Sequence, residues 1–402
     1  MIVEIHGAGF QNKGAELMLN TTAYELRQRL PNVELAIDPS YGSYNSRCGL
    51  SLHQILPPRS HVGTPGFSKR FLKQKLFAYM GGGELLSILG MPSSLYGGVK
   101  LSDIKGFVDI SGFAYTDEWG GRPIRDLAAL TSYYKAKNVP IILLPQAFGP
   151  FRMTETRANF RKVMSNATLV FARDRQSYDY AHELSSDGAN LSVAPDITLF
   201  FPHASPVSIK DSISPSYACV VPNIRMFDKG GKVWSEKYYS YLLSVIKELL
   251  LRGLQVRIVV HDSSGEDLKI SQRLCEESNS VDVVLVQEED PVMLKRIIAQ
   301  SFLVVGSRYH SLVAALSQSV PALAIGWSHK YDMLFQEFGL KEFVFSSPET
   351  PVAEVLRRLN ELSVPDTNAA YRAQIASRLQ EMSLVNMKMW SLVVATLTEY
   401  SA

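Results

Sequence analysis

Short apolar runs alternate with longer stretches of helical periodicity along most of this chain. Buried strands are predicted at residues 2–5, 33–37, 107–111, 141–144, 168–172 and 191–194, and again at 217–222, 256–261, 283–286, 303–306 and 322–325. Between them, apolar positions recur at the spacing of a helix packed on one face, over 15–30, 124–137, 235–252, 267–277 and 290–300. Asp290 followed by Pro291 reads as an N-cap with proline in the first helical position. Such alternation is the signature of α/β architecture with parallel sheets. Two stretches break it. Residues 39–70, rich in Pro, Gly, Ser and basic side chains, read as a long mobile loop; residues 201–216, with three prolines and five serines, read as a linker.

From residue 366 the pattern is helical without strands and includes Met382, Val385, Met387, Met389, Trp390 and Val393, so this tail is expected to pack back on a domain surface. The expected organisation is an N-terminal α/β domain (1–200), the linker (201–216), a C-terminal α/β domain (217–365) and a helical tail (366–402). Two Rossmann-like domains facing each other across a cleft are the simplest account. A length of 402 residues agrees, because it exceeds what one ordinary core accommodates.

Composition narrows the class. With 46% apolar and 20% charged residues, the profile is that of a soluble globular protein. A formal charge of +2 offers no global field for nucleic acid, so any basic site must be local. Cys48, Cys219 and Cys275 lie far apart and in no metal-ligand spacing, which fits a reducing compartment without a disulfide framework. The chain runs straight into a strand with no basic leader and no long apolar stretch. Neither signal peptide nor membrane span is expected, and the expected location is cytoplasmic.

The candidate chemistry gathers where strands hand over to helices. Ser307, Arg308, Tyr309, His310 and Ser311 lie between a predicted strand and a predicted helix, at the edge where ligands bind parallel sheets. A helix N-terminus there favours an anion. Arginine and histidine two residues apart suit a phosphate or carboxylate with a proton donor beside it; they also suit a surface arginine and a helix-capping serine. Arg173, Asp174 and Ser177 repeat the arrangement in the first half, with Asp174 a candidate cap and Arg173 at the strand tip the candidate ligand. Two such arginines could clamp one small dianion across the cleft.

Other strand ends carry weaker signals. The turn at residues 6–16 is glycine-rich, but its third glycine comes too late for a dinucleotide fingerprint. Ala15 and Glu16 stand where a P-loop needs its hydroxyl residue. A tight turn capped by Asn12 fits it as well as a ligand contact does. Residues 109–119 end a strand with a carboxylate, Asp117, among aromatics, which suits a sugar; a solvated loop acid suits Asp117 equally. Gln146 ends a strand before a rigid turn. Gly81, Gly82 and Gly83 read as a flexible connector. His61, His261 and His329 read as loop or core histidines, with His261 and Asp262 lining the cleft without a chemical role. No nucleophile elbow, zinc-protease helix or kinase signature set is present.

In their order, these elements resemble the polysaccharide pyruvyl transferase family over most of the chain. The resemblance is carried by Asn12-Lys13-Gly14, by the loop from Ser111 ending in Asp117 and Trp119, by Pro145-Gln146, by Arg173-Asp174 with Ser177, by Pro195-Asp196, and most specifically by Arg308-x-His310-Ser311 followed by Ala315-Leu316 and Val320-Pro321. Two departures stand out. Ala15 occupies a usually acidic position, with Glu16 next to it, and the usual glycine run before Asp117 is reduced to Gly112. The resemblance implies a fold like that of the GT-B glycosyltransferases. It also implies transfer of a pyruvyl group from phosphoenolpyruvate to two sugar hydroxyls of a cell-surface or exopolysaccharide glycan or its precursor, giving a cyclic ketal and phosphate.

On that implication His310 is the general acid, Arg173, Arg308 and Ser311 bind the donor, and Asp117 activates or orients an acceptor hydroxyl. Asn12, Gln146 and Ser177 contribute to binding. Neither a metal nor another cofactor is expected. The partners expected are the donor and a glycan or lipid-linked sugar acceptor. Arg47, Arg59, Lys69, Arg70, Lys73 and Lys75 form a basic loop suited to peripheral contact with the inner membrane face. The alternative reading is a sugar-nucleotide glycosyltransferase of the same fold, with Tyr331 and Asp332 the nearest candidates to hold a ribose.

Overall fold

The computed structural model describes residues 1–7, 9–56, 97–186, 188–201, 216–262 and 265–400. The triple glycine at 81–83, His61, the linker residues 202–215, and Arg59, Lys69, Arg70, Lys73 and Lys75 lie outside the described residues. The chain divides into two compact units. The first comprises Met1–Phe10, Met18–Ala194 and Met387–Ala402; the second comprises Gln11–Leu17 and Pro195–Asn386.

Among the described residues the first unit carries an eight-stranded sheet: β1 (Ile2–His6), β2 (Glu34–Ile37), β3 (His53–Leu56), β4 (Gly98–Lys100), β5 (Ile104–Asp109), β6 (Ile141–Gln146), β7 (Leu169–Ala172) and β8 (Leu191–Val193). Their order is β4-β3-β2-β1-β5-β6-β7-β8, and every pairing is parallel. All six residues of β6 are buried, as its unbroken apolar run requires of a strand covered on both faces. Pro145, lacking an N–H, coincides with a shift in the β6–β7 register between Leu143 and Gln146. The core beside the sheet joins Phe107, Tyr134, Phe148, Phe160, Ile124 and Leu127, the last from helix Arg122–Ala136.

The second unit carries β9 (Tyr217–Val221), β10 (Gln255–Val260), β11 (Val283–Gln287), β12 (Val304–Gly306), β13 (Ala322–Ile325) and β14 (Val344–Phe345) in the order β11-β10-β9-β12-β13-β14, again all parallel. This is the doubly wound order, in which the winding reverses between β9 and β12. Helix Gly231–Leu251 packs on this sheet through Trp234, Tyr238, Tyr241, Leu242, Val245, Ile246 and Leu249, a stripe at helical spacing.

The pattern of apolar runs predicts eleven of these strands to within a few residues and misses β3, β4 and β14. Those three are only two to four residues long and two flank the Pro/Gly-rich region, so they leave little periodicity to read. Residues 39–56, expected to belong to a mobile loop, form helix Tyr44–Gly49, capped by Ser43, and then β3. Arg47, counted among the basic loop residues, is buried, and its guanidinium donates to Pro39 O (2.9 Å) and Gly42 O (2.7 Å).

The unit boundaries also differ from those expected. The chain leaves the first unit at Ala194, and Gln11–Leu17 of the N-terminal region belongs to the second. Helix Pro365–Glu399 forms most of the tail, and its last turns belong to the first unit. Met389, Trp390, Val393 and Leu397 are buried, whereas Val385 and Met387 face outward.

Gly106 in β5 makes room for this tail. A Cβ there would lie 2.5 Å from Leu397 Cδ2 and 3.3 Å from Val3 Cγ2. Gly106→Val is expected to destabilise the fold by about 1–3 kcal/mol through overpacking. Combined with Leu397→Ala it should cost less than the sum of the two single changes, measured by thermal or denaturant unfolding. Strict additivity would show that the two positions do not pack together.

Candidate active site at the switch point of the second sheet

The reversal between β9 and β12 leaves a crevice beyond their carboxyl ends, where backbone groups have no strand partner and where ligands bind open α/β sheets. Asn223, just past β9, spans it: its side-chain amide donates to Ser307 O at 2.8 Å, and its own N–H donates to Tyr238 OH at 3.0 Å. Tyr331 OH also donates to Ser307 O (2.8 Å). The turn that follows β12 is therefore fixed from two sides just before Arg308.

Arg308 is the next residue and is nearly buried. Its Nε and one terminal nitrogen donate to the two oxygens of Asp267, both at 2.7 Å, and its other terminal nitrogen lies 3.1 Å from Asp262 Oδ2. Asp267, fully buried in the first turn of helix Glu266–Ser278, also accepts from Ile224 N–H at 2.9 Å. Burial opposes the arginine's charge, yet the two carboxylates outweigh it and hold its pKa above the ordinary value. The arginine expected to face an anion at a strand end lies here among carboxylates. Arg308 is the cation of an internal bidentate pair that ties the head of one helix to the start of another.

His310 follows in the first turn of helix Tyr309–Leu316. Its Nε2 lies 3.8 Å from Asp196 Oδ2, and its imidazole packs against Gly14 so closely that a Cβ on the glycine would fall 2.1 Å from Nδ1. Ser311 Oγ turns back to Arg308 O at 2.7 Å and packs beneath Gly306. Gly14 arrives through an N-terminal segment built into this unit. Asn12 forms an antiparallel bridge with Asp262, and Lys13 N–H donates to His261 O at 3.4 Å. Lys13 Nζ reaches Glu289 O (2.5 Å) and Glu16 (3.0 Å). Asn12 Oδ1 accepts from Gly14 N–H (2.9 Å) and Ala15 N–H (3.2 Å). Its side chain is the cap of helix Lys13–Arg29 that the turn chemistry allows for.

The remaining expected site residues belong to the first unit. Asp109, at the end of β5, accepts from Ser111 N–H (3.1 Å), Ser111 Oγ (3.0 Å), Tyr115 OH (2.7 Å) and Gln146 Nε2 (2.8 Å), and His6 Nε2 stands 3.9 Å away. Gln146 thus serves an internal carboxylate. Burial lowers the His6 pKa, against the pull of Asp109, Asp38 and Asp126.

Arg173 is 3% exposed at the end of β7, with its N–H bonded to Gln146 O at 2.9 Å. Asp174 caps helix Arg175–His182 by accepting from Ser177 N–H at 2.7 Å, and Ser177 is fully buried. Asp117, expected to meet an acceptor hydroxyl, has protein donors on both oxygens. One oxygen accepts from Thr156 Oγ1 (2.6 Å), and the other accepts from Met153 N–H (3.2 Å) and Arg152 N–H. These bonds anchor the start of helix Thr154–Asn166, so the carboxylate is engaged as a structural acceptor.

Sequence reasoning overlooked Asp267 and Lys295 and gave Asp196 no role of its own. Lys295 carried a signal. In helix Pro291–Ala299 it occupies the stripe of Pro291, Leu294 and Ile298, a buried face on which a lysine is out of place. Its Nζ donates to Thr198 O at 2.7 Å, and burial pushes its pKa down to about 7 against the pull of Asp196. Among the described residues no group of three His, Cys, Asp or Glu side chains could hold a metal ion. No described helix is long and apolar enough to cross a membrane.

A family model for polysaccharide pyruvyl transferase matches residues 12–329, beginning at Asn12 and enclosing Gly14, Asp196, Arg308 and His310. The chain belongs to the polysaccharide pyruvyl transferase family. Amylovoran biosynthesis protein AmsJ of Erwinia amylovora is 20% identical over 338 residues, covering 80% of each chain.

Solved structures similar to this pyruvyl transferase family member share only its fold. The UDP-GlcNAc 2-epimerase of Neisseria meningitidis matches with a TM-score of 0.57 at 11% identity, covering 99% of this chain and 100% of its own. HepE of Anabaena, solved with UDP and glucose, matches with a TM-score of 0.54 at 13% identity over 98% of each chain. Two parallel, helix-covered sheets and these neighbours assign the family member to the GT-B-like class of paired Rossmann-like domains.

Two measurements probe the geometry. Asp267→Ala removes the bidentate partner of the buried Arg308 guanidinium and leaves it only Asp262, and is expected to destabilise by about 3–5 kcal/mol, seen in denaturant unfolding; a cost below 1 kcal/mol would deny the buried pair. His261 is held neutral, its pKa pushed down to about 3 by burial and then by Arg308 and His310. The unfolded chain takes up its proton near pH 6.5, whereas the folded one does so only near pH 3. Stability should therefore fall as the pH drops below 6.5, by about 1 kcal/mol from this group at pH 5.5. His261→Asn should flatten that part of the stability–pH curve; an unchanged slope would assign the loss elsewhere.

Proposed function

We propose that this protein transfers the pyruvyl group of phosphoenolpyruvate to two hydroxyls of a glycan acceptor, forming a cyclic ketal and releasing phosphate. The observation that carries this reading is His310, held in the first turn of a helix at the switch point and packed on Gly14, in a chain of the polysaccharide pyruvyl transferase family. In the proposed reaction His310 gives a proton to the methylene carbon of the enol phosphate. An acceptor hydroxyl then adds to the neighbouring carbon and returns its proton to His310; a second hydroxyl displaces phosphate from the same carbon, and its proton leaves with the phosphate. A histidine suits the first step because its proton is exchangeable near neutral pH.

Arg173, a buried strand-end cation of the first unit, is proposed to meet negative charge on the donor. In the second unit, the N–H groups at the start of helix Tyr309–Leu316 favour an anion. Arg308, engaged with Asp267 and Asp262, keeps that helix start in place. Gln146, Ser177, Ser311 and Asn12 act in this scheme by shaping their turns, and Asp117 by anchoring the loop on the acceptor side. The acceptor in this scheme is a polysaccharide or its lipid-linked precursor, met on the cytoplasmic side.

The glycosyltransferase reading finds less support in the side chains. Tyr331 is fully buried with its hydroxyl on Ser307 O, and Asp332 accepts from Ser346 Oγ at 3.0 Å, so neither is offered to a ribose.

Phosphate release from phosphoenolpyruvate in the presence of a glycan acceptor tests the proposal, alongside thermal shifts with phosphoenolpyruvate, UDP-sugars and GDP-sugars. His310→Asn is expected to lower turnover by about 10²–10⁴-fold, as for loss of a general acid. Gly14→Ala, which drives a methyl group into the imidazole, should lower it in the same direction. Wild-type turnover in His310→Asn would remove the histidine from the chemistry, and stabilisation by a sugar nucleotide alone would favour the rival reading.

A further inference from the structure

Behind His310 lies a set of buried groups that the transfer reaction as described does not use. Asp196, 1% exposed, precedes the short turn Ile197–Phe200. Its Oδ1 accepts from Thr198 N–H at 3.0 Å and from Thr198 Oγ1 at 2.7 Å, which fixes the plane of the carboxylate. The other oxygen, Oδ2, is the one 3.8 Å from His310 Nε2. On the opposite side the ring meets the bare backbone of Gly14, where no side chain fits. The imidazole is thus gripped between a glycine and an immobilised carboxylate. Lys295, 1% exposed, closes the set from behind, its ammonium bonded to Thr198 O in the turn that carries the carboxylate.

We propose that Asp196 is a positioning residue for His310, fixing its ring and favouring its protonated form, and that Lys295 tempers the charge of Asp196 from the rear. The proposal rests on the reading of His310 as a proton donor. A carboxylate beside an imidazole keeps a proton on the nitrogen facing it and stabilises the imidazolium. A buried carboxylate without compensation would hold that proton too firmly, because a general acid works best when its pKa lies near the working pH. A cation behind the carboxylate corrects this without touching the histidine.

Other charged and titratable groups meet the same ring environment. His261 and Asp262 follow β10, Arg308 stands two residues before His310, and Lys13 and Glu16 flank Gly14. Arg308 is paired with two carboxylates and Lys13 with Glu16, while burial keeps His261 neutral. Asp196 and Lys295 are therefore the two charges whose removal should move His310 in opposite directions.

The test is a titration of the full chain labelled with carbon-13 at histidine Cε1, with the His310 signal assigned by its loss in His310→Gln. Asp196→Asn keeps the oxygen that accepts from Thr198 and removes the charge; it is expected to lower the pKa of His310 by about one unit or more. Lys295→Met, close in volume, is expected to raise it. The limb of kcat/KM that falls with rising pH should move to lower pH in Asp196→Asn and to higher pH in Lys295→Met, in step with the titration.

An unmoved His310 pKa in a folded Asp196→Asn protein overturns the proposal. If that variant does not fold, Lys295→Met decides by sign: an upward shift supports the proposal, and no shift or a downward one overturns it. If the pKa moves as expected but no variant releases phosphate from phosphoenolpyruvate, the transfer reading fails and the positioning stands.

Discussion

A guanidinium in a protein interior must be paired, and at Arg308 that requirement organises the second unit's active edge. Asp267 can meet two of its nitrogens only if helix Glu266–Ser278 begins where it does, and Asp262 can meet the third only if β10 ends one residue before His261. Removing Asp267 would leave two guanidinium nitrogens without their partner in a medium that solvates them poorly. The pair therefore fixes the relative position of the strand ends β10 and β12. Everything at the crevice, from the bond between Asn223 and Ser307 to the direction in which His310 leaves its helix, inherits that position.

Much of this was legible in the sequence because parallel strands buried on both faces announce themselves as apolar runs. Residues 141–144 and 322–325 are of that kind, and the knot at 307–311 could be located at a strand's end from its neighbours alone. What escaped were features that depend on partners distant in the chain. Nothing near Arg308 says that Asp267 will claim it, and nothing near Asp117 says that the start of helix Thr154–Asn166 will. Both residues look available in sequence and are engaged in the fold. The strands β3, β4 and β14 escaped for another reason: each is too short to show a period, and neighbouring strands stabilise it.

The two units differ in how their polar groups are used. In the first unit, Asp109 accepts from Ser111, Tyr115 and Gln146, with His6 Nε2 3.9 Å away, and this network gives the turn after β5 one shape. In the second, the carboxylate of Asp196 is only half engaged by its own turn, and its remaining oxygen points at an imidazole.

Gly14 has a consequence for how this protein is made. The wall it forms against His310 comes from the chain's beginning, while the histidine belongs to a strand–helix turn near its end; Lys13 and its partner Glu289 are 276 positions apart. At the pace of synthesis the N-terminal turn must wait tens of seconds after leaving the ribosome before its neighbours exist. Pro195–Asn386, although nearly the whole of the second unit, lacks the glycine against which His310 packs. A gene cut at the domain border would yield a fragment whose histidine faces solvent where Gly14 should be, which makes any catalytic competence a property of the unbroken chain.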